Sequence, residues 1–163
     1  MNTTNPNPKN ADVNGLITAI SRNKEDGVLA RFLGAPSWYI VADYLHPCQF
    51  ERGHVLISQG GQDRKLYFLE SGNLKVDVKT DAGFMQLAIL GAGTVVGEGS
   101  FFSHLSRNAS VVAYSDCRVW ELSPSDFDAL SKKFPGVALS LAMALGAILA
   151  TRMLDVSRRI SVT

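Results

Sequence analysis

The segment VVGEGSFFSHLSRNASVVAY, from Val95 to Tyr114, places an acid and a base inside a glycine-containing interruption between two apolar runs. A hairpin needs only about two to five linking residues. A longer excursion that carries charged side chains therefore predicts a role beyond reversing the chain. Glu98 and Arg107 are the residues of this segment with which a small charged ligand could interact.

Three interpretations of the segment compete. A dinucleotide-binding fingerprint is the poorest, because Gly91, Gly93 and Gly97 have the wrong spacing and no strand–helix–strand unit is predicted around them. A plain surface loop is the simpler account of any single exposed acid or base, which is ordinarily a solvated charge. The third interpretation is a cradle for a small anion.

The cradle assigns a chemical task to each residue type. Gly97 and Gly99 would let the main chain turn tightly, and a short helix beginning near Ser100 would direct N–H groups at a phosphate. The planar guanidinium of Arg107 suits phosphate oxygens better than a lysine ammonium does. The carboxylate of Glu98 suits a ligand with hydroxyl donors, such as a ribose. An acid for the sugar and a base for the phosphate together describe a nucleotide.

Composition limits the partners. The 163 residues fit one domain with a substantial core. Lys and Arg total 16 and Asp and Glu total 15, so the formal charge of +1 gives no argument for nucleic acid or an anionic membrane as partner. The three histidines have no metal-ligand spacing, and no Ser or Cys lies in a nucleophile motif, so we expect neither a metal site nor catalytic residues.

The start of the chain and the cysteines indicate a cytoplasmic protein. The opening MNTTNPNPKNADVNG lacks the basic cluster and apolar run of a secretory signal, and it predicts a disordered polar tail over residues 1–12. Cys48 and Cys117 have no CxxC spacing, which favours reduced thiols and leaves a disulfide between them open.

The residue patterns along the sequence predict helices at both ends and strands between them. Residues 13–47 mix helical spacing with glycine and proline and predict two or three short helices. Residues 48–123 contain short apolar or alternating runs separated by glycine turns, which predict an antiparallel sandwich or barrel. The predicted strands are 54–57, 66–69, 74–78, 86–90, 109–113 and 118–122.

Residues 124–163 predict two helices. Ser123 is a good N-cap and Pro124 a good first helical residue. A long second helix is expected from about residue 136 to residue 160. Its uncharged stretch, 134–151, is close to the lower limit for a membrane span, but its alanine content and the arginine that follows favour a buried or partner-facing helix over a span.

Two apolar rows on this long helix leave its role open. Small residues recur every four positions and permit close backbone approach: Ala138, Ala142, Gly146 and Ala150. A ridge of larger residues adjoins them: Leu141, Leu145, Ile148 and Leu149. This surface could pack on the barrel, form a seam between two copies of the chain, or do both in different parts.

The cradle segment resembles the phosphate-binding cassette of cyclic nucleotide-binding domains. That cassette reads Gly-Glu-x-(Ala/Gly/Ser)-(Leu/Phe), a short spacer, and Arg-(Ser/Thr/Ala)-Ala, and VGEGSFFSHLSRNAS follows it except at Asn108. FERGHVLISQGGQDRKLYFLESGNLKV is similar to the opening strands of the family, with Gly53, Gly60 and Gly72 at its usual turn positions. The likeness covers about residues 37–159.

The resemblance implies a fold and a set of contacts. The fold is a mainly β, antiparallel, jelly-roll-like β-roll with N-terminal helices and two C-terminal helices. Arg107 would bind the cyclic phosphate and Glu98 the ribose 2′-hydroxyl. The resemblance also implies further contacts. Backbone N–H groups near Gly99, Ser100 and Ala109 would complete the phosphate shell. Thr151 and Arg152 lie where the last helix would cover the purine, and the alternative for them is an ordinary helix surface.

Ligand identity depends on Asn108, which stands where the family commonly has Ser, Thr or Ala. The Ser or Thr associated with cGMP is missing, so cAMP is the expected ligand and cGMP the less favoured one. The bacterial activator branch carries a DNA-binding helix-turn-helix after the long helix. This sequence ends at Thr163, so DNA binding by this chain alone is not expected.

The resulting expectation is a receptor that signals to an unidentified protein partner through its C-terminal helix or through a homodimer. It is not expected to be an enzyme. The alternative is a protein-interaction domain with the same fold that no longer binds a nucleotide, and Asn108 is its best argument.

Overall fold

The computed structural model describes residues 12–24 and 27–161, with side chains described as far as Asp155. All but the last residue of the tail predicted over 1–12 lies outside the described residues. The elements in chain order are α1 (Asn14–Arg22), α2 (Val28–Phe32), α3 (Ala35–Ala42), β1 (His46–Phe50), β2 (Val55–Ile57), β3 (Leu66–Ser71), β4 (Leu74–Thr80), β5 (Gly83–Leu90), β6 (Val95–Val96), α4 (Glu98–Ser103), β7 (Ser110–Ala113), β8 (Cys117–Leu122), α5 (Pro124–Lys133) and α6 (Pro135–Ser161).

The eight strands form two antiparallel four-stranded sheets. The first sheet has the order β1-β8-β3-β6, and the second has the order β2-β7-β4-β5. Consecutive strands β4 and β5 pair as a hairpin from Leu74–Leu90 to Thr80–Gly83, whereas β1 pairs with β8, far away in sequence. The arrangement is the expected β-roll with flanking helices.

Apolar side chains form two cores. One lies between the two sheets and includes Leu69, Leu74 and Val119, each fully buried. The other lies between the first sheet and the helices, and its members include Trp38, Phe68, Trp120, Leu122, Leu141 and Leu145. The first sheet is therefore covered on both faces, as the apolar run Leu66–Leu69 requires.

Several element boundaries differ from the sequence expectations, among them those of β1, α4 and β5. Strand β1 (His46–Phe50) begins inside the region predicted as helical, because its five residues, HPCQF, lack an alternating pattern and pair only with distant β8. Helix α4 begins at Glu98 and not near Ser100, since Gly97 already adopts the left-handed conformation that starts the turn. Strand β5 begins at Gly83, three residues before the predicted start.

The predicted N-cap of α5 is confirmed. The Ser123 hydroxyl accepts a hydrogen bond from the backbone N–H of Asp126 at 3.1 Å, and Pro124 is the first helical residue. The two cysteines are unpaired, with Cys117 buried and Cys48 partly buried. Burial and the nearby Glu121 raise the pKa of Cys48 to about 11.

Helix α6 uses its ridge of larger residues to join the helical core. Leu141, Leu145 and Ile148 are almost completely buried, whereas Gly146 has nothing within 4 Å of the position of a Cβ. Residues Pro135–Asp155 are long and apolar enough to cross a membrane, and 28% of their most apolar window is buried. This is weak evidence for a membrane span, because core helices of other proteins meet the same test of length and composition.

The turn before β6 allows α1 to approach the first sheet closely. Gly93 has φ +89°, and a Cβ there would lie 2.4 Å from the carbonyl oxygen of Ala19 in α1. Gly53 has a similar φ of +93° but has open space around it.

We expect Gly93→Ala to destabilise the protein more than Gly53→Ala does. Both variants incur about 1–2 kcal/mol of left-handed backbone strain, but only Gly93→Ala also displaces α1. Urea denaturation measures the two free energies of unfolding. Equal losses would show that the contact between α1 and the turn contributes nothing to stability.

Candidate functional site

A cavity of about 750 Å³ lies between the second sheet, α4 and α6. Its size is in the range of small-molecule pockets. Its walls are largely apolar, and its charged lining residues are Glu98, Arg107, Arg152 and Asp155. The apolar lining residues include Ile57, Val76, Leu87, Ile89, Leu90, Val96, Val111 and Leu149. This composition suits a ligand with an apolar face and a few polar groups.

Gly97 sets the geometry of the charged end. Its φ of +98° turns the chain from β6 directly into α4, and a Cβ there would lie 2.5 Å from the carbonyl oxygen of Lys65 and 2.9 Å from Nη1 of Arg107. Any side chain at this position would both strain the backbone and displace the arginine. The glycine is therefore required for the close approach of Arg107 to the α4 turn.

Arg107 is buried, with 4% of its surface exposed. Four hydrogen bonds hold its guanidinium: Nε and Nη2 donate to the two carboxylate oxygens of Asp63 at 3.4 and 2.9 Å, Nη1 donates to the Gly97 carbonyl at 2.9 Å, and Nη2 donates to the Lys65 carbonyl at 2.7 Å. A guanidinium has five N–H donors. Because Arg107 also lines the cavity, these bonds fix its orientation there.

The charge of Arg107 affects its neighbours. Burial acts to raise the pKa of Asp63, but the hydrogen bonds and charge of Arg107 outweigh it and hold that pKa below its usual value. Asp63 therefore remains ionised at neutral pH. Burial, together with the charges of Glu121 and Asp63, raises the pKa of Tyr67 to about 12.

Glu98 and Arg152 connect the cassette to the last helix. Glu98 is 7% exposed, and Nη1 of Arg152 donates to its Oε1 at 2.6 Å. Nη2 of Arg152 also donates to Thr94 Oγ1 at 3.1 Å and to the Val95 carbonyl at 2.9 Å. A single side chain of α6 thus bonds both sides of the β6–α4 junction.

A second arginine fixes the far end of α4. Arg64 donates from Nε to the Ser100 carbonyl at 3.3 Å and from Nη2 to the Phe101 carbonyl at 2.9 Å. A cation at these carbonyls stabilises the C-terminal end of a helix. The loop that supplies Asp63 to Arg107 therefore also supplies the cation that stabilises the cassette helix.

The structure brings most of the expected site residues together. Eight of them line the cavity: Gly97, Glu98, Gly99, Ser100, Arg107, Asn108, Ala109 and Arg152. Thr151 is exposed and is not among the lining residues, and its hydroxyl donates to the carbonyl of Ala147 within α6 at 2.9 Å. Arg152 meets Glu98 across the cavity instead of projecting freely from the helix surface.

Sequence reasoning missed Asp63, Arg64 and Asp155. Asp155 could have been found, because it follows Arg152 by three positions and so shares its face of the helix. Asp63 lies 44 residues before Arg107 in a loop with no motif of its own, and Arg64 lies 36 and 37 residues before Ser100 and Phe101. No local pattern could have paired them. Within the described residues, no cluster of three His, Cys, Asp or Glu side chains could hold a metal ion.

The family model of the cyclic nucleotide-binding domain matches residues 47–134, more than half of the sequence. The chain belongs to the cyclic nucleotide-binding domain family. The matched region contains the cassette, α5 and all strand residues of both sheets except His46, the first residue of β1. The expected fold and family are thereby confirmed, and the family is one of binding and regulatory domains.

Several members of the family are similar to this cyclic nucleotide-binding domain. The cyclic AMP receptor protein of Thermus thermophilus is 32% identical over 108 residues, which cover 65% of this chain and 50% of that protein. The cAMP-activated global transcriptional regulator CRP of Pasteurella multocida is 31% identical over 126 residues, 76% of this chain and 57% of that one. The chain thus spans about half the length of these curated relatives.

A crystal structure of a cyclic nucleotide-binding domain from Methylobacillus flagellatus shares the fold. Its TM-score is 0.79, with 19% identity, and the match covers 91% of this chain and 84% of that one. At this identity the similarity concerns the fold alone.

We expect Arg152→Ala to lower the free energy of unfolding by about 1–3 kcal/mol, because it leaves the buried carboxylate of Glu98 without its cation. Adding Glu98→Gln should restore part of the loss, since an amide is less costly to bury unpaired than a carboxylate is. Urea denaturation of the single and double variants measures both effects. Additive losses from the two substitutions would contradict the coupling between these side chains.

Proposed function

We propose that this domain is a cAMP receptor that transmits the signal of ligand binding to a protein partner through its C-terminal helices. The observation that carries the proposal is the placement of Arg107 and Glu98 in the lining of one cavity, with the apolar wall of the second sheet beside them. The cyclic phosphate is assigned to Arg107 and the backbone N–H groups of Gly99, Ser100 and Ala109. The ribose 2′-hydroxyl is assigned to Glu98.

The size and polarity of the cavity support a nucleotide. Its apolar lining on β2, β4, β5 and β7 offers a surface for the purine, and the charged groups lie at the α4 side. Asn108 is exposed and lines the cavity, so its larger side chain need not displace buried atoms. The cAMP-binding names of the curated relatives, together with the missing Ser or Thr at this position, favour cAMP over cGMP.

The route of the signal follows from Arg152. Its bond to Oε1 of Glu98 ties α6 to the residue assigned to the ribose, so a ribose hydroxyl that donates to the same oxygen competes with Arg152. This competition weakens the attachment of α6 to the cassette. The position of this helix is therefore coupled to occupation of the cavity.

Thermal melting tests the receptor assignment. With cAMP at a hundredfold excess over its dissociation constant, linkage adds about 2.7 kcal/mol to stability and raises the melting midpoint by several degrees. We expect a smaller shift with cGMP and none with a cyclic dinucleotide. Absence of a shift with any of these compounds would favour a domain that binds proteins and not nucleotides.

Arg107→Lys tests which residue binds the phosphate. It keeps the charge but loses the planar fork, and we expect at least about tenfold weaker cAMP binding, the effect of losing one charge-assisted hydrogen bond. Arg118→Lys is the matched control, because Arg118 pairs with Glu70 on the first sheet and does not line the cavity. Isothermal titration calorimetry measures both affinities. Equal losses would place the phosphate elsewhere.

The outer face of α6 supports a homodimer as the assembly that transmits the signal. Exposed apolar residues form a line along it: Leu139, Met143, Met153 and Leu154. The smaller residues Gly146, Ala147 and Ala150 lie between them and permit close approach of a second helix. A second copy of this face is complementary because large side chains at the ends can pack beside small ones in the middle.

Met143→Glu should convert the dimer to a monomer without loss of fold, because this side chain is 55% exposed. Ala129→Glu places the same charge on an exposed position of α5 and should leave the dimer intact. Light scattering measures the mass of each variant. A wild-type chain that is monomeric with and without cAMP would overturn the dimer proposal.

A further inference from the structure

Asp63 lies behind Arg107 as seen from the cavity. It pairs with the Nε and Nη2 atoms of the guanidinium but does not line the cavity. Arg107 is 3% exposed in its side chain and Asp63 is 45% exposed, so the carboxylate stands on the solvent side of a buried cation. The phosphate site therefore contains a guanidinium that is already paired with one full negative charge.

The charged side chains that line the cavity balance one another before Asp63 is counted. Two arginines and two carboxylates line it, namely Arg107 and Arg152 with Glu98 and Asp155. Asp63 adds a third carboxylate at the phosphate end. Nearby cations are engaged with other groups: Arg64 donates to α4 carbonyls, and Nζ of Lys65 lies 3.7 Å from Glu121.

We propose that Asp63 sets the charge selectivity of the site, favouring a phosphate that carries one negative charge over one that carries two. This inference rests on the proposed function and deepens it. A cyclic nucleotide is a phosphodiester with a single charge, whereas a nucleoside 5′-monophosphate is a monoester with a second pKa of about 6 and so is mainly a dianion at neutral pH. The Arg107–Asp63 pair offers the remaining N–H donor of the guanidinium to the first charge and little net attraction to the second.

Charge selectivity matters because a cyclic nucleotide and the corresponding nucleoside 5′-monophosphate carry the same base and sugar. The apolar wall and Glu98 can bind the nucleoside part of either one, so they cannot separate them by themselves. Charge at the phosphate is a difference on which the paired guanidinium can act directly. Asp63 acts through Arg107 and is a specificity-determining residue without touching the ligand.

Three adenine compounds test the inference: cAMP, adenosine 5′-monophosphate and the methyl ester of that monophosphate. The methyl ester is linear like the monophosphate but has one charge like cAMP, so it separates charge from ring shape. Calorimetry at pH 7.5 on the wild type should show tighter binding of the methyl ester than of the monophosphate. Asp63→Asn should narrow this ratio by at least about tenfold, the effect of removing one charge within about 10 Å of the phosphate near a protein surface.

Two further variants control for structural effects. Asp63→Glu keeps the charge and should keep the ratio. Asp81→Asn makes the same chemical change at the exposed turn between β4 and β5 and should leave the ratio unaltered. Since the readout is a ratio between two ligands of one variant, a general loosening of the site affects both affinities and cancels.

The outcomes separate this inference from the proposed function. If the wild type binds cAMP but binds the monophosphate and its methyl ester equally, the charge inference is overturned alone. An unchanged ratio in Asp63→Asn overturns it as well, whereas the wild-type ratio decides the matter if that variant does not fold. If none of the three compounds binds the wild type, the receptor assignment fails and the inference fails with it.

Discussion

The burial of one guanidinium governs the arrangement of this domain's cavity. A buried arginine is stable only where its donors meet acceptors and its charge meets an opposite charge. For Arg107 the acceptors are the carbonyls of Gly97 and Lys65, and the opposite charge is Asp63. These groups come from separate parts of the chain, so the Arg107 end of the cavity forms only when the β2–β3 loop and the cassette pack together.

The same requirement explains the local backbone. The left-handed turn at Gly97 presents its carbonyl to the guanidinium and at the same time begins α4. Arg64, next to Asp63, then fixes the other end of that short helix. Short helices have little stability of their own. Side chains from the β2–β3 loop therefore supply the restraint that six helical residues cannot supply.

Much of the fold could be predicted from sequence because its signals are local. Glycine turns and alternating residues located most strands of the roll, and the Ser123 cap located α5. Strand β1 was missed, since its proline-containing HPCQF becomes a strand only by pairing with β8. In the same way, Glu98 and Arg107 were predicted from one continuous motif, whereas Asp63 needs a contact across 44 residues that no local pattern encodes.

Helix α6 has two attachments of different kinds, and this limits how it can move. Its first part is anchored through Leu141, Leu145 and Ile148 in the close-packed helical core, which does not deform continuously. Its later part is held by the polar contacts of Arg152. Tilting the whole helix would open gaps in the core. A change in the contacts of Arg152 is therefore accommodated by bending of the few residues after Ile148. The helix thus behaves as a cantilever, clamped at one end and deflected at the other.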